Sequence, residues 1–109
     1  MLSIIVPVYN EKKYIKFLLK KLIDLKKIKK QIIIVDDGSH DGTTDILKNK
    51  FIRSKFINKI IFHKKNIGKG AAIKSAQKYV KGDYVAIQDA DLEYNPKDLI
   101  KIYKYIKKK

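Results

Sequence analysis

At 109 residues the chain is at most one domain, and 45% apolar with 10% aromatic residues is enough to bury a core, which excludes intrinsic disorder. No apolar run approaches the roughly 18 residues of a membrane span. The absence of cysteine excludes a disulfide framework and a thiolate metal site, and fits a reducing compartment. The formal charge of +15 raises a nucleic-acid reading, yet almost every cation is lysine, spread over the chain, with Arg53 the sole arginine. Arginine is the residue that reads guanine edges bidentately, so no specific nucleic acid is expected. The Lys, Ile and Asn bias fits an AT-rich coding habit, with attraction to an anionic membrane surface as a further reading.

In chain order, Leu2 to Val8 is a short apolar run ending in turn formers, suited to a buried parallel strand rather than to a signal peptide. From Lys12 to about Lys26, Ile15, Leu18, Leu19, Leu22 and Ile23 recur at helical spacing. Ile32 to Val35 is β-branched and uninterrupted, a second strand running into the loop from Asp36 to Thr43. A helix is expected from about Thr44, with Ile46 and Leu47 facing inward. Ile60 to Phe62 is a third strand, and Asn66 to Gly70 is a glycine-bearing loop. Ala71 to Val80 resumes the helical pattern through Ala72, Ile73, Ala76 and Val80. Tyr84 to Ile87 is a fourth strand, and a last helix is expected near Pro96, packed on the sheet by Tyr94, Tyr103 and Tyr105.

Regular alternation of strand and helix predicts an α/β fold, a parallel sheet with helices on both faces. Ligands in such sheets bind beyond the carboxyl ends of the strands. The unusual polar clusters all fall there: Pro7 to Glu11, Asp36 to Asp41, Asn66 to Gly70, and Asp89 to Glu93.

Asp89-Ala90-Asp91 carries the sharpest chemistry. Carboxylates two apart on an extended segment point the same way and, with Glu93 nearby, suit a hard cation such as Mg²⁺ or Mn²⁺. A bare pair of this kind more often caps a turn. A buried strand before it and a second acidic cluster on the same rim favour the metal. Asp36-Asp37 at a strand end can accept hydrogen bonds from a base or a ribose, or else form an Asx turn before Gly38. Asp41 is expected to cap the next helix. Tyr9, between Pro7 and Glu11, suits stacking on a base, and the same residues suit a plain strand-to-helix turn capped by Asn10. Gly68-Lys69-Gly70 opens a helix and allows close approach of a phosphate, although the P-loop pattern is absent. His40 and His63 are given no catalytic or metal role.

The four segments Ile4–Glu11, Val35–Ser39, Asn66–Ala72 and Gln88–Tyr94 together resemble family 2 glycosyltransferases, in order and spacing and over essentially the whole chain. The last segment is most similar to the branch of dolichyl- or polyprenyl-phosphate mannose and glucose synthases. The resemblance implies a Rossmann-like GT-A fold, a strand order of 3-2-1-4, and transfer of a sugar from a nucleotide-diphosphate donor. By motif position, Pro7, Tyr9 and Glu11 would line the nucleoside pocket and Asp37 would hold the base. Lys69 and Asp89 would complete the donor site, and Asp89, Asp91 and Glu93 would bind the Mg²⁺ or Mn²⁺. Glu93 stands where mannose synthases often have Gln, which leaves UDP-glucose and GDP-mannose both open. A non-catalytic nucleotide-binding module is the alternative. Residues 1–109 correspond to the N-terminal nucleotide-sugar-binding part of the domain, with the acceptor half and its catalytic base expected in a missing segment. A polyprenyl phosphate is the expected acceptor, for a cytoplasmic protein peripheral to the membrane face.

Overall fold

A computed structural model describes residues 1–25 and 28–90. The expected last helix, with Tyr94, Tyr103 and Tyr105, lies outside them, as do Lys26, Asp91 and Glu93. Strand β1 (Leu2–Val8) leads to helix α1 (Ile15–Ile23), and β2 (Lys30–Asp36) to α2 (Thr43–Ile46), which runs into a π-helical turn (Leu47–Phe51). Strand β3 (Lys59–Phe62), helix α3 (Lys69–Gln77) and β4 (Tyr84–Ile87) follow. The strands form one sheet in the order β3-β2-β1-β4, every pair parallel, as expected for the Rossmann-like half of a GT-A fold. Among the described residues no helix is long and apolar enough to cross a membrane.

The period of two along a strand divides the core between the two faces. Leu2, Ile4, Val6 and Val8 of β1, with Ile32 and Ile34 of β2, face α1 and the π turn through Ile15, Leu18, Leu19, Leu22, Leu47 and Phe51. Ile5, Ile33 and Val35 face the other way, onto Ala72, Ala76 and Val80. The alanines at i and i+4 leave no side chain to hold α3 away from the sheet, and both are fully buried. Each fully buried Ile, Leu or Val contributes about 1.5–3 kcal/mol, so the two central strands anchor the domain.

Several boundaries differ from the sequence expectation. Helix α1 begins at Ile15 rather than Lys12, preceded by a turn in which the Glu11 carbonyl accepts the N–H groups of Tyr14 and Ile15. Strand β2 extends to Lys30 and Asp36, pulled out by its full register against β1, from Leu2↔Lys30 to Val8↔Asp36. Pro7 sits inside β1 without breaking a ladder. The pairing of β1 with β4 ends at Ile5↔Ile87, where the Gln88 amide reaches the Ile5 carbonyl, so the missing N–H of Pro7 faces a side with no partner strand.

Beneath the sheet, at the amino ends of the strands, lies a small buried polar floor. The Ser3 hydroxyl donates to Gln31 Oε1 (2.7 Å) and accepts the Gly82 amide (2.9 Å). Gln31 in turn donates to the Tyr79 carbonyl and accepts the Lys81 amide. A Cβ at Gly82 would fall 2.5 Å from the Met1 carbonyl oxygen, so only glycine fits there.

At the opposite end, Gly38 has φ +74°, and a Cβ there would stand 2.3 Å from the Lys65 backbone. Gly38→Ala is therefore expected to cost at least about 2 kcal/mol through combined strain and clash. Chemical denaturation would measure it. An unchanged midpoint would mean that the loops after β2 and β3 do not pack as described.

Candidate functional site

The parallel register brings the carboxyl ends of all four strands to one rim, and the reversal of strand order falls between β1 and β4. An open cleft of about 470 Å³ lies there, lined by Pro7, Val8, Tyr9, Glu11, Asp37, Asn66, Gly68, Lys69, Ala72, Asp89 and Ala90. Six of the residues singled out in the sequence, Pro7, Tyr9, Glu11, Asp37, Lys69 and Asp89, share this cleft. Asp91 and Glu93 lie outside the described residues.

The loop after β1 is clipped to the loop after β2 by side chains that receive its backbone amides. The Asn10 amide donates to Ser39 Oγ, the Glu11 amide to Thr43 Oγ1, and the Lys12 amide to Asp41 Oδ2. Asn10, at φ +52°, accepts the His40 amide on its side-chain oxygen. It does not cap α1, whose first turn has no side-chain cap. Asp41 takes the Thr43 amide at 3.0 Å, so its capping role holds from one residue before Gly42, the N-cap of α2. Tyr9 projects from the same loop, 40% exposed, its ring edge-on to His40 and its hydroxyl 3.1 Å from His40 Nε2.

Asp36 and Asp37 separate into two tasks. Asp36 turns back into its own loop, accepting the Ser39 amide and the Thr44 hydroxyl. Asp37, 3% exposed, binds across to the loop after β3. Its Oδ1 accepts from His63 Nδ1 (2.7 Å) and the Ile67 amide (3.1 Å); its Oδ2 accepts from Asn66 Nδ2 (3.1 Å) and the Gly68 amide (2.8 Å). Burial pushes this carboxyl up, but the bond from His63 and the two amides outweigh it and hold the carboxyl below its ordinary range. His63 is itself fixed on the far side, Nε2 lying 2.8 Å from Ser75 Oγ of α3.

The glycine loop then opens α3. Gly68 is the N-cap at φ +106°, and a Cβ built on Gly68 or Gly70 meets nothing within 4 Å, which leaves open space beside both. Lys69 reaches across the cleft to the segment after β4, its Nζ 2.6 Å from Asp89 Oδ1. Among the described residues no group of three or more His, Cys, Asp or Glu is assembled to hold a metal. Asp89 is a partly exposed carboxylate at the rim, of a type that suits a hard cation, and it is paired with the Lys69 ammonium.

The histidines and Asn66 are the residues that the sequence reading missed. His63 and Asn66 fix Asp37, and His40 fixes Tyr9. Nothing local marks His63: it stands beside Asp37 because Asp36 pairs with Phe62 in parallel register.

Residues 3–109 match the model of glycosyl transferase family 2. The chain is 36% identical over 104 residues to an uncharacterized protein of Methanocaldococcus jannaschii, covering 92% of this chain and 44% of that one. It is 33% identical to the undecaprenyl-phosphate 4-deoxy-4-formamido-L-arabinose transferase of Aeromonas hydrophila, covering 91% and 31%. Among solved structures, S. aureus TarS 1-349 superposes with a TM-score of 0.73 at 34% identity, covering 93% of this chain and 30% of that one. The mannosyltransferase PcManGT of Pyrobaculum calidifontis, in complex with GDP-Man and Mn²⁺, gives 0.76 at 26% identity, covering 91% and 30%. The chain belongs to glycosyl transferase family 2. It spans less than half the length of these relatives.

The depressed carboxyl of Asp37 fixes the sign of a pH dependence. A group held below its unfolded value of about 3.9 contributes stability above that pH, and loses it as pH falls through the folded value. Asp37→Asn leaves donors facing a donor, so a loss of about 1–3 kcal/mol at neutral pH is expected, together with a shallower acid limb. Urea unfolding at pH 7 and across pH 2–5 reads both. An acid limb equal to that of the wild type would place the titrating group elsewhere.

Proposed function

We propose that residues 1–109 are the N-terminal nucleotide-sugar-binding part of a GT-A glycosyltransferase domain, which transfers a sugar from a UDP- or GDP-sugar to a polyprenyl phosphate. The observation that carries this reading is the convergence of Pro7, Tyr9, Glu11, Asp37, Lys69 and Asp89 on one cleft at the strand ends. Tyr9 offers the base a partly exposed ring, held by His40. Asp37 already accepts four hydrogen bonds within the chain, so a base would reach it by displacing the Asn66 side-chain amide, the one side-chain amide among its donors. The open space at Gly68 and Gly70, the amino end of α3 and the Lys69 ammonium suit a diphosphate.

Asp89, with Asp91 and Glu93, would hold Mg²⁺ or Mn²⁺, which neutralises charge building on a departing diphosphate. Support for the metal comes from PcManGT, crystallised with GDP-Man and Mn²⁺. S. aureus TarS 1-349 was crystallised with UDP-GlcNAc, which keeps both bases in play. The acceptor is drawn from the Aeromonas hydrophila relative, named for undecaprenyl phosphate, and it would bring the protein to a cytoplasmic membrane face.

The catalytic base is proposed to lie outside the described residues. The rim carboxylates Asp36, Asp37, Asp41 and Asp89 all have partners within the chain, and Glu11 is engaged as well. General-base assistance is worth roughly 10²- to 10⁴-fold.

Calorimetry with UDP and GDP, each with Mn²⁺ or with EDTA, tests the donor site. Binding is expected to need the metal, and Asp91→Ala should abolish that dependence. Equal affinity in EDTA would remove the metal from the proposal.

A second assay uses the purified chain with labelled UDP-glucose or GDP-mannose, Mn²⁺ and a polyprenyl phosphate. Donor hydrolysis at most is expected. Robust formation of sugar-lipid would instead place the base within residues 1–109.

A further inference from the structure

Lys69 and Asp89 are the two residues of the cleft assigned above to different ligands, the one to a diphosphate and the other to a metal, yet they bind each other. The Lys69 ammonium stands 2.6 Å from Asp89 Oδ1, with the side chains 56% and 31% exposed. Resting on the donor-site reading, we propose that Lys69 is an exchangeable internal counter-cation of Asp89, which makes divalent metal and nucleoside diphosphate bind this cleft cooperatively.

The alternatives for Lys69 within the cleft are few. It is the only cation among the described lining residues. Asp37 is saturated by four donors, and Glu11 is engaged. Asp89 is thus the available partner at the mouth of α3, and the pair ties the first residue of α3 to the segment after β4.

A lysine ammonium is a point charge on a flexible stem, and an exposed pair is weak enough to give way. A metal ion arriving alone at Asp89 meets an ammonium already on the same oxygen, and must displace it against like-charge repulsion. A diphosphate arriving at Gly68 and the first turn of α3 draws the ammonium away, because it carries more negative charge than one carboxylate. Asp89 is then released for the metal. Each ligand removes an obstacle to the other, and by linkage the effect is mutual.

The test compares Lys69→Met with wild type, and uses Lys74→Met, an exposed lysine further along α3, as a control for loss of charge. Three affinities are measured on the full chain: Mn²⁺ alone by electron paramagnetic resonance, UDP or GDP alone in EDTA by calorimetry, and Mn²⁺ at saturating nucleotide. For Lys69→Met, Mn²⁺ alone should bind about two- to five-fold tighter, the range set by an exposed ion pair. The nucleotide in EDTA should bind more weakly, and the gain in Mn²⁺ affinity on adding nucleotide should shrink. Lys74→Met should match wild type in all three. Unchanged or weaker binding of Mn²⁺ alone by Lys69→Met would overturn the exchange, as would an equal change in Lys74→Met. A wild-type chain that binds neither Mn²⁺ nor nucleotide would instead sink the donor-site reading itself, and this inference with it.

Discussion

A carboxylate buried at 3% exposure cannot stay ionised unless donors surround it, and the cleft is organised around how Asp37 meets that demand. The donors come from one stretch of chain, His63 to Gly68, so satisfying the charge also fixes the path of the loop after β3. That path sets where α3 begins, and with it where Gly68 opens the rim and where Lys69 starts its reach to Asp89. Gly38 belongs to the same constraint, since the Lys65 and Asn66 backbone presses against it. One buried charge thereby aligns two loops, a helix start and a cation.

The rim depends equally on the sheet below it. With β1 between β2 and β4, the loop that bears Tyr9 and Glu11 sits between the loop of Asp37 and the loop of Asp89. Register holds them level: Val8 pairs with Asp36, and the Asp37 amide donates to the Val8 carbonyl at 2.8 Å. A slip of one residue would turn Ile32 and Ile34 away from α1 and carry the carboxylates off the rim. Packing below and hydrogen bonding above are therefore one specification, written in the alternation of Ile and Val along two strands.

Much of this was legible in the chain itself, and the limits have physical causes. Strand positions and the two-faced core followed from runs such as Ile32 to Val35, because burial on both faces leaves only apolar residues there. Helix starts were less legible. Nothing local distinguishes Lys12 from Ile15, and the turn before α1 lies where the Asn10, Glu11 and Lys12 amides are taken by a loop distant in sequence. The cluster of cleft residues could be read from strand ends, whereas their partners could not. His63 and His40 look like ordinary loop residues until the register places one beside Asp37 and the folded loops place the other against Tyr9. The Lys69–Asp89 pair likewise spans residues that the sequence gives to separate ligands.

The polar floor at the amino ends of the strands has a consequence for how such a domain diversifies. Ser3, Gln31 and the Tyr79 to Gly82 backbone close on one another with no room for another atom, so an inserted or enlarged residue there breaks several buried bonds at once. At the other end Asp37 and Gly38 hold the backbone just as firmly, but the side chains of Tyr9 and Lys69 are partly exposed and can change residue with little effect on folding. Lineages that inherit this domain are thus free to drift in those few side chains while the connection between α3 and β4 stays fixed. Sequence divergence at the rim should therefore be uneven, with exchange at the exposed side chains and little change at the residues that hold the loops.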